Sequence, residues 1–197
     1  MGAPAVELAA GNPPEVEAAF QAAGEELVAE IVDGELHLSP RPRPRHARTA
    51  TKLGARLEGP FDSGEGGPGG WILLFEPELH LGPRPDKLVP DLAGWRRERF
   101  PLEAFAEHAP VGLSVAPDWV CEVLSGSTEA LDRGKKLGLY GREGVRHLWL
   151  VNPTLYTVEV YRLERGAWVV AGVHQGPVPA RIEPFDAVAL DLGAIWV

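Results

Sequence analysis

The stretch from Trp119 to Val151 constrains the fold most, because it reads as strand, helix and strand in direct succession. Trp119 to Leu124 is an apolar run of strand length. Ser125 to Thr128 then offer helix-capping side chains, and Glu129 falls in the first turn, where the helix dipole favours an acid. The helix is expected to run to about Arg142 and to stop at Gly144, the residue type best suited to a left-handed exit. Arg146 to Val151 supplies the second strand, closed by Asn152-Pro153. Such a segment calls for a sheet with a helix laid against it.

The flanking sequence adds strands on both sides. Pro13-Pro14 precede an Ala/Glu-rich helix expected over Glu15 to Glu26. Asp33-Gly34, between alternating apolar positions from Ala29 to Leu38, predicts a hairpin. The run Arg41-Pro42-Arg43-Pro44-Arg45 can be neither helix nor central strand, since proline removes a donor and restricts the residue before it. A helix from about His46 to Glu58 follows, with Ala50, Leu53 and Leu57 at apolar spacing. Strands are expected at Trp71–Phe75, Glu78–Leu81, Leu88–Trp95, Leu155–Leu163, Trp168–Val173 and Ala187–Leu192. With no repeat and no dividing linker, residues 13–197 form one mixed α/β (α+β) domain around a central sheet, and residues 1–12 form a loose N-terminal end.

Charge and cysteine content narrow the function classes. The net charge of -9 argues against a general nucleic-acid binder, whose affinity would come from Lys and Arg. The basic residues are clustered, however. Arg41, Arg43, Arg45, Arg48, Lys52 and Arg56 occur without an intervening acid, enough for local contact with DNA. Possible DNA contacts are therefore Arg43, Arg45, His46, Arg48 and Lys52. One cysteine, Cys121, fits a reducing compartment, and no apolar run approaches a bilayer span, so the expectation is a cytoplasmic protein without a membrane partner.

Three residues could carry chemistry. Asp91 and Glu122 are carboxylates within apolar strand runs, and a buried charge of that kind normally has a partner or a metal. Paired carboxylates repel, and a divalent cation such as Mg2+ (or Mn2+) relieves the repulsion. Lys136 follows on the helix, where Asp132, Lys136 and Tyr140 recur at i, i+4 and i+8 and so share a face. Its ammonium could point back at the two carboxylates.

These motifs give the chain a family resemblance. Pro90-Asp91, Glu122-Val123-Leu124-Ser125, Asp132-Arg133, Lys136 with Tyr140, and Gly144-Val145 ahead of Trp149-Leu150-Val151 stand in order. In this the chain resembles the PD-(D/E)XK nuclease superfamily, in its Uma-type restriction endonuclease branch. The resemblance implies a restriction endonuclease-like core, a mixed central sheet flanked by helices with added β-hairpins. It implies a metal held by Asp91, Glu122 and the Val123 carbonyl, with Lys136 replacing the strand lysine whose place Leu124 occupies. Glu78 is a possible additional acid. The activity expected is Mg2+-dependent hydrolysis of DNA by a homodimer. The alternatives are a catalytically inactive nuclease-fold protein that binds nucleic acid or protein, and a hydrolase of some other phosphodiester.

Overall fold

The computed structural model describes residues 11–196, so most of the expected loose N-terminal end lies outside the described residues. Helix α1 (Pro14–Gln21) begins at a proline, which suits a first helical turn. It ends earlier than the composition suggests, because a turn at Gly24 leads the chain into β1 (Leu27–Val32). Asp33 and Gly34, at φ 52° and 78°, make the tight turn to β2 (Glu35–Pro40). Helix α2 (Pro44–Leu57) then crosses to β3 (Trp71–Phe75) through a π-helical turn, Glu58–Ser63. The strands β4 (Leu79–Leu81), β5 (Asp86–Leu88), β6 (Leu92–Arg96) and β7 (Trp119–Val123) follow.

Next comes a continuous helical rod: α3 (Glu129–Leu131), a π-helical turn (Asp132–Lys136) and α4 (Leu137–Arg142). It returns the chain to β8 (His147–Asn152), which lies parallel to β7. Strands β9 (Thr157–Glu164) and β10 (Ala167–Gln175) form an antiparallel hairpin, and β11 (Pro179–Ala180) pairs with β12 (Leu190–Asp191). Of the strand expected over Ala187–Leu192, only Leu190 and Asp191 pair as strand.

Two sheets organise these elements. The larger has the order β10-β9-β8-β7-β6-β3, and the smaller β2-β1-β5-β4. The run Leu88–Trp95, expected as one strand, is divided between them: β5 pairs with β1 and β4, whereas β6 pairs with β3 and β7. Pro90 lacks the N–H that a continuous ladder would need. Asp91 therefore stands in the break between two sheets, not inside a strand.

Alternation along β7 and β8 assigns the two faces of the large sheet. Trp119, Cys121, Val123, Trp149 and Val151 face α2, where Ala50, Leu53 and Leu57 form the buried stripe. The C-terminal segment closes that layer with Phe185, whose ring lies 4.8–5.6 Å from those of Phe61, Trp71, Trp119 and Trp149. On the opposite face Val120, Leu148 and Leu150 pack with Leu139 and Tyr140 of α4 and with Leu79, Leu81 and Leu88 of the small sheet. Fully burying one such leucine contributes about 2–3 kcal/mol. No helix among the described residues is long and apolar enough to cross a membrane.

Candidate active site

Glu122 shares the inner face of β7 with Val120, so its side chain points under the α3–α4 rod. Only 3% of it is exposed. Its Oε1 accepts a hydrogen bond from the Tyr140 hydroxyl at 2.7 Å and lies 2.8 Å from Lys136 Nζ. The same ammonium is 3.0 Å from Glu30 Oε1 and 3.3 Å from Asp132 Oδ1. The i, i+4, i+8 spacing thus brings Asp132, Lys136 and Tyr140 to one buried face. They stand on and just after a π-helical turn, a feature common at functional positions. Leu124, where the strand lysine would stand, is buried among apolar neighbours.

Asp91 is held from three directions. Its Oδ2 accepts a hydrogen bond from the Val123 amide at 2.7 Å and lies 3.2 Å from His46 Nε2. Its carbonyl accepts from the Glu76 amide at 3.1 Å, and Glu76 itself adopts a left-handed φ of 43°. His46 begins the inward face of α2, the face that Ala50, Leu53 and Leu57 continue, and its side chain is only 12% exposed. Its Nδ1 is buried without a hydrogen-bond partner.

The electrostatics are unbalanced. Three carboxylates, Glu30, Glu122 and Asp132, surround one ammonium in a region that water barely enters. Desolvation pushes the Glu122 pKa well above the usual carboxylate value, and Asp132, Asp91 and Glu30 add like-charge repulsion that Lys136 only partly offsets. Asp132 is raised for the same first reason. Burial alone would lower the Lys136 pKa, but Glu122, Glu30, Tyr140 and Asp132 together hold it well above the usual value. His46 follows the same pattern: burial opposes its charged form, but Asp91, the Val123 carbonyl and Asp132 together raise its pKa above the usual value.

These groups line a cleft of about 360 Å3. Its floor holds Asp91, Glu122, Asp132 and Lys136, its walls Arg41, Arg43, His46 and the hydroxyl-rich Ser125–Thr128 loop. Beyond Arg43, the residues Arg45, Arg48, Lys52 and Arg56 recur every three or four positions on α2 and share one flank of it. None of these four makes an ion pair among the described residues, whereas Arg97, Arg99, Arg133, Arg142 and Arg162 all do. Glu78 lies outside the residues that line the cleft, its Oε1 2.6 Å from His80 Nε2. Glu30, which the sequence reading passed over, takes an inner position: its Oε1 also accepts from the Val89 amide at 2.9 Å. The signal was the same as for Glu122, an acid between apolar residues on a strand.

The donor set suits a hard cation. Asp91 and Glu122 make their contacts through one oxygen each, so both retain lone pairs for a metal. Among the described residues no three of His, Cys, Asp and Glu gather to chelate a metal unaided. A cation here would complete its shell with a carbonyl and water, as magnesium commonly does.

Comparison with known proteins agrees with this architecture. Residues 16–193 match the model of the Uma2 family, described as "Putative restriction endonuclease". Among solved structures, the chain is similar to a protein from Anabaena variabilis ATCC 29413 described as a putative nuclease belonging to DUF820. The TM-score is 0.71 at 19% identity, over 92% of this chain and 96% of that one. No curated protein matches. The family match spans both sheets and every residue of the cleft floor, and the chain belongs to the Uma2 family.

Proposed function

We propose that the chain is a metal-dependent endonuclease that hydrolyses DNA phosphodiester bonds. The observation that carries this reading is the place of Lys136: its ammonium lies 2.8 Å from Glu122 Oε1 at the floor of the cleft. The helix thus delivers the cation that Leu124 withholds from the strand. Asp91, Glu122 and the Val123 carbonyl would hold Mg2+ or Mn2+. Bound there, the metal would polarise the phosphate and lower the pKa of an attacking water.

The protein's own groups have separate tasks. Lys136, held among Glu30, Glu122 and Asp132, neutralises part of the carboxylate excess and steadies Glu122 as a metal ligand. Tyr140 fixes the Glu122 carboxylate through its hydroxyl. Arg41 and Arg43 stand at the cleft wall, and Arg45, Arg48 and Lys52 on the flank of α2 offer charges to the phosphate backbone. Cutting both strands of a duplex would call for two such sites, so a homodimer is the assembly we propose for that substrate.

Leu124 favours a second reading, a nuclease fold that binds without cutting. Cleavage of supercoiled plasmid and of single-stranded DNA with Mg2+ or Mn2+ separates the two, run beside Asp91→Ala and Lys136→Ala. Cutting lost in both variants supports the endonuclease. No cutting by the wild type, together with no metal uptake by calorimetry, supports the binding module.

A further inference from the structure

Among the ionisable side chains of the cleft that the proposed reaction leaves without a task, His46 is the one beside Asp91. It is on the inward face of α2, 12% exposed, with Nε2 3.2 Å from Asp91 Oδ2. Asp91 stands in the break between β5 and β6, where the Glu76 amide holds its carbonyl and the side chain is free to meet the cleft. Two groups meet one oxygen of the carboxylate: the Val123 amide donates to Oδ2 at 2.7 Å, and the His46 ring lies 3.2 Å from it.

We propose that His46 is the positioning residue for Asp91, occupying Oδ2 together with the Val123 amide so that the carboxylate meets a cation through its other oxygen. The proposal rests on the metal-dependent reading above. It differs from the expectation that His46 touches a DNA phosphate. A ring directed at Asp91 belongs to the ligand's support, and partners of this kind commonly change metal affinity by about 10–100-fold when removed.

The test needs no catalysis. Mn2+ binding to the full chain is measured by calorimetry for the wild type, His46→Ala, His46→Gln and Asp91→Ala, and for His46→Ala combined with Asp91→Ala. DNA binding is measured in Ca2+ at two salt concentrations. The expected result is Mn2+ affinity weakened about tenfold in His46→Ala and partly restored in His46→Gln, whose amide can still donate to Asp91. In the Asp91→Ala background the histidine substitution should make no further difference. Unchanged Mn2+ affinity in His46→Ala, with weaker DNA binding and a shallower salt dependence, overturns the proposal and makes His46 a phosphate contact. A wild type that takes up no Mn2+ overturns the metal reading and this proposal with it.

Discussion

Replacing Glu122 by glutamine should stabilise the metal-free protein while abolishing cleavage. Glutamine keeps an oxygen for the Tyr140 hydroxyl and the Lys136 ammonium, which now approach Glu122 Oε1 at 2.7 and 2.8 Å. What disappears is one negative charge. At an effective dielectric near 20, the lost attraction to Lys136 at 2.8 Å is worth roughly 6 kcal/mol. Glu30 and Asp132 touch the same ammonium, at 3.0 and 3.3 Å, so each lies within about 6 Å of Glu122 and repels it by roughly 3 kcal/mol. Attraction and repulsion therefore nearly cancel. The balance falls to desolvation, which disfavours the charged carboxylate by several kcal/mol.

A net gain of about 1–3 kcal/mol follows at pH 7, equivalent to about 2–4 °C in Tm for each kcal/mol in a chain of this size. The pH dependence carries the same sign. Folding raises the Glu122 pKa above its ordinary 4.5, so its stabilising contribution is complete below that value. That contribution is lost as pH climbs toward the raised value. Urea denaturation in EDTA from pH 5 to 8 measures both effects. The wild type should lose stability relative to Glu122→Gln across that window, and added Mn2+ should recover it in the wild type alone. A variant less stable than the wild type by more than about 1 kcal/mol at pH 7 would refute the reasoning, since the ion pair would then outweigh desolvation and repulsion together.

Two further outcomes are expected. Arg45→Ala combined with Arg48→Ala and Lys52→Ala should weaken DNA binding and reduce the slope of log K against log salt by up to about 3, one for each lost phosphate contact. An unchanged slope, read by fluorescence anisotropy, would place the nucleic acid elsewhere. Gly54→Ala should leave urea stability within about 1 kcal/mol of wild type: the added methyl would stand 1.9 Å from Phe75 Cζ, but that ring is 51% exposed and can swing aside, while alanine favours the helix by about 1 kcal/mol. A loss above about 2 kcal/mol, relieved by adding Phe75→Ala, would contradict that account.

By itself, the sequence determined the elements whose cause is local. The Asp33-Gly34 turn, the inward stripe of α2, the strand–helix–strand unit around Glu122 and the shared face of Asp132, Lys136 and Tyr140 all follow from residue types at fixed spacing. Periodicity has no knowledge of pairing partners, so the reach of Leu88–Trp95 was a tertiary decision. The proline in that run marked a discontinuity, but only the assignment of β5 and β6 to different sheets put Asp91 in the gap. The company that Lys136 keeps was settled the same way. Glu30 comes from the small sheet and Glu122 from the large one, and only the packing of one sheet beside the other brings both carboxylates to a single ammonium. A charged cluster drawn from separate elements has no signature in any one of them, because a side chain's neighbours through space are set by how the chain folds back on itself.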